Sequence, residues 1–181
     1  SAEGSKVIFI GIVGIADPIR DDVRQAIDTC SSHAGVRVIM VTGDNALTAS
    51  EIARQAGIIS DKEDKPLTIT GSEFAAKSDE YLKKEVIPTL RVLSRARPED
   101  KVRLVTLLQE MGEVVAVTGD GTNDAPALKK AQVGLSMGDG TARAKEASDV
   151  TIIDNSFSSI NKGILWGRSL YLNIKRFILF Q

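Results

Sequence analysis

Val117–Thr141 reads VTGDGTNDAPALKKAQVGLSMGDGT and sets Asp120, Asn123 and Asp124 in one short turn among glycines. The turn directly follows an apolar, strand-like run, Val114–Val117. Carboxylates at a strand end, in a loop whose backbone can approach a ligand closely, suit Mg²⁺ and phosphate chemistry. Gly119 and Gly121 remove side-chain bulk on both sides of Asp120. A plainer reading stands beside this one. Asp-Gly and Asn-Asp are turn residues, and Asp124 precedes Ala125-Pro126 and a helical stretch, where it would serve as an N-cap.

Outward from this block, short apolar runs alternate with helical periodicities. Val7–Ile15 is expected to be a buried strand, with Asp17-Pro18 opening a helix whose apolar face is Val23, Ala26, Ile27 and Cys30. Val36–Val41 is expected as a second strand. It leads through Thr42-Gly43-Asp44-Asn45 into a helix that Gly57 ends. Residues 60–90 are a variable stretch: Asp61–Pro66 a polar loop, Gly71-Ser72-Glu73 the cap of a short helix, Asp79–Ile87 another helix. Val92–Ser94 is a short strand, and Pro98–Met111 a helix with Pro98 at its first position and Gly112 past its end. Strands are expected next at Val114–Val117, Val133–Ser136 and Val150–Ile153, with a helix near Thr141–Ala147 and a long one from about Ser158 to the end. Uniformly apolar, β-branched strands alternating with helices predict an α/β fold with a mostly parallel sheet. Ligands bind at the carboxyl ends of such strands, where both Thr42–Asp44 and Asp120–Asp124 fall.

Two further candidates carry the same chemistry. The Thr42 hydroxyl, beside Gly43 and before a helix start, can donate to a phosphoryl oxygen; capping by Asp44 or Asn45 is the alternative. Lys101 lies in a first helical turn, where a cation opposes the helix dipole, so helix stability does not explain it. A nearby phosphate would explain it, as would an exposed surface position beside Glu99 and Asp100, and Arg95 and Arg97 share that ambiguity. His33, Cys30 and Trp166 read as structural. The final helix interleaves Lys162, Arg168, Lys175 and Arg176 with Leu165, Trp166, Tyr171 and Phe177. That pattern suits a segment approaching a membrane, or an amphipathic helix packed on its domain.

Composition bounds these readings. The 181 residues carry a net charge of −1 and 43% apolar residues, which fits one ordinary globular domain and shows no nucleic-acid footprint. One cysteine excludes an internal disulfide and fits a reducing compartment. The longest apolar run, Val7–Ala16, is ten residues, short of a membrane span.

Four separated stretches resemble P-type ATPases, the phosphoenzyme ion pumps, in the right order. They are Asp17-Pro18-Ile19-Arg20; Met40-Val-Thr-Gly-Asp-Asn45; Arg95-Ala-Arg-Pro-Glu-Asp-Lys101; and Val117–Met137. The similarity continues through Gly140–Asp149 and Asn155–Ile160. It implies a haloacid dehalogenase-like Rossmannoid phosphorylation domain that uses Mg²⁺ and ATP. By that resemblance Thr42 contacts the transferred phosphoryl group, Lys101 neutralises it, Asp120 binds Mg²⁺, and Asn123 and Asp124 complete the site. Thr42, Gly43, Asp44, Arg95, Lys101 and Asn123 are then expected along the nucleotide phosphate path. The Trp166–Gln181 segment resembles plasma-membrane-type calcium pumps, which implies Ca²⁺ as transported cation, with ligands in membrane helices outside this chain. Gln132, Arg143 and Asp154-Asn155-Ser156-Phe157 depart from the family pattern.

The family phosphorylates the Asp of Asp-Lys-Thr-Gly-Thr, and that motif does not occur in these 181 residues. Asp64-Lys-Pro-Leu-Thr-Ile-Thr-Gly71 lacks the Thr-Gly pair at the required places. With a start at Ser-Ala-Glu-Gly and an end inside Phe177-Ile-Leu-Phe-Gln181, the chain reads as a fragment of a cytoplasmic domain of a plasma-membrane protein. Residues 1–157 are expected to form a partial phosphorylation domain and 158–181 the stalk toward a membrane helix. The nucleophile's strand is central in this superfold, so its absence predicts a gap or unpaired edges, and with them strand exchange or dimerisation. The isolated chain is expected to be inactive. Two other readings remain: a soluble phosphatase of the same superfold with Asp17 as nucleophile, and a non-catalytic interaction module.

Overall fold

The structure, a computed structural model, describes residues 10–11, 19–60 and 67–181. The Asp61–Pro66 loop and all of the Val7–Ile15 strand but Ile10 and Gly11 lie outside the described residues, as do Asp17 and Pro18 themselves. The helix those two were expected to open starts instead at Asp21, because Arg20 before it is extended, ψ 143°, and is the N-cap.

Six strands are described, and every pairing between them is parallel. They form two three-stranded sheets. The first has β1 (Met40–Val41), β3 (Leu90–Ser94) and β2 (Leu67–Thr70) in the order β1-β3-β2; the second has β4 (Ala116–Gly119), β5 (Val133–Met137) and β6 (Val150–Ile152) in chain order. Among the described residues no pairing joins the two sheets.

The helices are α1 (Asp21–Asp28), α2 (Ala46–Gln55), α3 (Gly71–Ala76), α4 (Asp79–Tyr81), α5 (Pro98–Glu110), α6 (Ala125–Lys130), α7 (Ala142–Ala147) and α8 (Phe157–Phe180). Wider π-type turns extend α1 through Thr29–His33 and α4 through Leu82–Val86. Local chemistry fixes most of the starts. Asn45 caps α2 by accepting from the Thr48 amide at 3.0 Å. Thr70 and Glu73 form a reciprocal capping box on α3. The buried Asp100 accepts from the Arg97 amide at 2.9 Å at the start of α5.

Three boundaries differ from the sequence reading. The strand expected at Val36–Val41 pairs only at Met40–Val41. The one expected at Val114–Val117 lies at Ala116–Gly119, because its register with β5 runs to Gly119 opposite Ser136, while Val114 is 81% exposed. Leu67–Thr70, unassigned from sequence, pairs along β3 with only Ile69 fully buried.

The first sheet carries most of the core: Phe74, Leu82, Ile87, Leu90, Leu93 and Leu107 on one face, and Ala49, Ala53, Ile59 and Val92 against α2. The second sheet has a small core, Leu135, Ile152 and Ile160. α5 joins the halves. It leaves the carboxyl end of β3, and at its far end Gln109 donates to Gln132, whose side-chain oxygen also accepts from the Val115 amide at 3.0 Å. The connection is a β–α–β crossover, so the carboxyl ends of both sheets face the same way.

α8 uses little of its length for packing. Of its 24 residues only Ile160 is fully buried, and Trp166, read from sequence as structural, is 73% exposed. A helix laid along the domain is therefore not what forms. Its first turns are held to α1 by polar contacts: Ser156 Oγ donates to Asp22, Asn161 Nδ2 to the Ala26 carbonyl, and Cys30 to Asn161. No helix among the described residues is long and apolar enough to cross a membrane.

Candidate active site

The strand that ends at Val41 continues into Thr42, whose amide donates to the Leu93 carbonyl and whose carbonyl accepts from the Ala96 amide at 2.9 Å. The Arg95 amide donates to the Asp44 carbonyl at 2.8 Å. The two strand exits are thus sewn together. Arg95 takes a left-handed backbone, φ 48°, unusual for a side chain of its kind. Gly71 lies so near that a Cβ there would stand 2.6 Å from the Arg95 carbonyl oxygen. Within the first loop the Thr42 hydroxyl donates to Asp44 Oδ2 at 2.9 Å and accepts from the Asp44 amide at 3.1 Å. Asp44 does not cap α2; Asn45 does.

The helix after this exit, α5, brings Lys101 toward the second sheet. Lys101 Nζ stands 2.6 Å from Asp124 Oδ1, and the two side chains are only 16% and 14% exposed. A charge-assisted pair of this kind is strong for its size. Lys101 is therefore not the free surface lysine that its position allowed. Asp124 Oδ2 also accepts from the Gly121 amide at 3.2 Å. The carboxylate ties the turn together and makes no capping bond to α6, so the N-cap reading of Asp124 fails at its side chain. Gly119 is required here, since a Cβ would stand 2.5 Å from Asp124 Cβ.

Asp120, at the tip of β4, is exposed, and its carboxylate has no partner among the described residues. Its backbone carbonyl accepts from the Thr141 amide at 2.8 Å, which pins the tip against the Gly138–Thr141 loop. Asn123 is exposed and its side chain is uncommitted. Among the described residues no group of three or more His, Cys, Asp or Glu converges as a metal cage. A cation held at Asp120 would complete its shell with water, backbone and phosphate oxygens, the set Mg²⁺ prefers. The residues present fit that ion.

The predicted residues thus fall in two contact groups, Thr42, Asp44 and Arg95 at the first strand exit and Lys101 with Asp124, of the turn after Asp120, at the second, with α5 running from one to the other. Sequence reasoning missed two members of their frame. Thr141 holds the Asp120 backbone and caps α7. Asn155, left-handed at φ 54°, accepts from the Asp139 amide at 3.0 Å. Its position after Asp154 was a readable signal, because Asn tolerates that backbone.

This arrangement belongs to a known class: the chain is a member of the haloacid dehalogenase-like hydrolases, whose family model matches residues 3–132, with a second model of the same description over 101–164. Within that class its relatives are calcium-transporting P-type ATPases. It is 53% identical over 174 residues to calcium-transporting ATPase 2 of Schizosaccharomyces pombe, covering 96% of this chain and 13% of that one. It is 50% identical to the plasma membrane-type calcium-transporting ATPase 5 of Oryza sativa subsp. japonica, covering 97% and 16%. Among solved structures, a zinc-transporting PIB-type ATPase in its E2.Pi state matches with TM-score 0.67 and 30% identity over 88% of this chain and 21% of that one. The catalytic domain of the CPx-ATPase CopB-B shares the fold at TM-score 0.59 and 23% identity, covering 78% and 44%. The chain spans 13–16% of the length of the two calcium-transporting relatives named here.

Proposed function

We propose that this chain is the carboxyl-terminal part of the phosphorylation domain of an ATP-driven cation pump, with Ca²⁺ as the transported ion. In this reading it supplies the electrostatic half of an aspartyl-phosphorylation site, and the nucleophilic Asp comes from the rest of the longer protein. The observation that carries the proposal is the division of labour in one turn: Asp124 is neutralised by Lys101 at 2.6 Å while Asp120 is left free.

Phosphoryl transfer needs positioning and charge stabilisation more than covalent help. Thr42 offers a hydroxyl at the strand exit, and its present acceptor, Asp44, is exposed and close to water. Lys101 holds Asp124 in place and brings positive charge to the edge where a phosphoryl group would sit. Asp120 would hold Mg²⁺, which would supply positive charge to neutralise the phosphate. Gly43, Arg95 and Asn123 border the route of a nucleotide's phosphates. The edges of the interrupted sheet support the missing nucleophile strand. Among the described residues β1 pairs only with β3 and β4 only with β5. Met40, Val41 and Val117 are half-buried and Ala116 is exposed, which is poor burial for residues of this kind in a parallel sheet.

Residues 1–157 then form the partial domain and α8 a stalk toward the membrane of a plasma-membrane protein, its basic residues and bare aromatics suiting that approach. The test is chemical. This chain, incubated with ATP or acetyl phosphate and Mg²⁺, should take up no acid-stable phosphate, and the coding sequence upstream should contain Asp-Lys-Thr-Gly-Thr. Stable acyl phosphate on the chain itself would overturn the assignment.

A further inference from the structure

A cleft of about 510 Å³ opens between α6 and α7, on the far side of the Asp120–Asp124 turn. Its lining includes Pro98, Thr122, Asn123, Lys129, Arg143 and Glu146. Thr122 and Asn123 belong to the turn between Asp120 and Asp124, so the cleft shares a wall with the candidate active site. Lys129 and Arg143 are exposed, and neither has an ion pair or hydrogen bond among the described residues. The Thr122 hydroxyl and the Asn123 amide are likewise uncommitted.

Helix chemistry accounts for Lys129, in the last turn of α6, where a cation favours the dipole. It does not account for Arg143, in the first turn of α7, where a cation opposes it. Glu146, three residues on, is within reach of Arg143 on the same helix, yet no pair forms. Two cations unpaired among the described residues and the Thr122 hydroxyl on one concave surface are an anion-binding set.

We propose that this cleft binds a phosphate-class oxyanion, separately from the Asp120 site, with Arg143 and Lys129 as its cationic arms. Thr122 supplies a neutral donor, and Glu146 accepts from the protonated oxygen of a hydrogen phosphate. The Glu146 charge leaves a modest positive excess in the cleft. Because both cations are hydrated and screened, the affinity falls at about the millimolar level. Inorganic phosphate and the terminal phosphate of a nucleotide present the same chemistry.

The test is a ¹⁵N NMR titration of this chain with inorganic phosphate at constant ionic strength, repeated with metal-free ATP. Saturable shifts are expected at the amides of Thr122, Asn123, Glu146 and Ala147. Arg143→Ala should weaken them about tenfold and Lys129→Ala about threefold, the loss of one charge-assisted contact each. Asp120→Asn should leave them in place, which separates this site from the catalytic one. Saturation by both ligands identifies free phosphate as sufficient, and saturation by ATP alone identifies the nucleotide as source. Shifts that chloride reproduces, that survive both cation removals, or that only a tetraglutamate peptide elicits would overturn the proposal.

Discussion

Thr42-Gly43-Asp44 and Thr118-Gly119-Asp120 are the same tripeptide at the exits of two parallel strands, and their carboxylates meet different ends. Asp44 is folded back onto its own Thr42 hydroxyl at 2.9 Å. Asp120 is bare. The residues after each tripeptide make the difference. Beyond Asp44 a helix begins almost at once, with Asn45 as its cap, so the loop closes on itself. Beyond Asp120, Gly121-Thr-Asn-Asp124 delays the helix to Ala125, and the one acid of that insertion, Asp124, takes the available cation, Lys101. One loop thus ties its hydroxyl and carboxylate to each other, while the other leaves a carboxylate without a partner among the described residues.

The comparison can be broken most severely at Asp120. In the full-length protein containing this segment, Asp120→Asn should lower acyl-phosphate formation from ATP about 10²- to 10³-fold, whereas Asp44→Asn should cost less than about tenfold, since its role is local. Equal losses in an acid-quench assay would erase the distinction between the loops. Next comes Lys101→Met. It leaves the Asp124 carboxylate, 14% exposed, without its cation. Urea unfolding of this chain should show a loss of about 2–3 kcal/mol.

The glycines sharpen the contrast. Gly119→Ala puts a Cβ 2.5 Å from Asp124 Cβ and should destabilise by about 2 kcal/mol. Gly43→Ala meets nothing within 4 Å and should change stability by less than about 0.5 kcal/mol. Thermal denaturation of the two variants side by side would show whether the second loop alone is tightly packed. Smaller still is Asn45→Ala, about 1 kcal/mol for a lost cap. The smallest effect lies outside both loops. The Ser156 hydroxyl holds the Asp22 carboxyl below its usual value of 3.8. The folded state therefore keeps this contribution in full above that pH and loses it as the pH falls below, and Ser156→Ala should flatten that part of the acid-stability profile.

Sequence periodicity located both loops because strands ending in Thr-Gly-Asp and helices opening on Asn45 or Pro98 are local signals. It placed β4 two residues early because Val114 is apolar, although the pairing with β5 leaves it outside the sheet. It missed β2 because a four-residue strand with two threonines takes its stability from β3 beside it. The site's chemistry was legible as residue types, but its partners were not. Lys101 and Asp124 are 23 positions apart, and only the α5 crossover brings them together. The left-handed Arg95 has no sequence signal at all, because its backbone is set by hydrogen bonds to the neighbouring strand exit at Thr42 and Asp44.

The claim that Asp120, not Asp44, is the metal-holding carboxylate is tested most directly by Mn²⁺, used in place of Mg²⁺, added to the ¹⁵N-labelled chain. Paramagnetic broadening should centre on the amides of Gly119, Gly121 and Thr141, vanish in Asp120→Asn and persist in Asp44→Asn. Broadening centred on Gly43–Asn45, or unchanged by Asp120→Asn, would contradict the account.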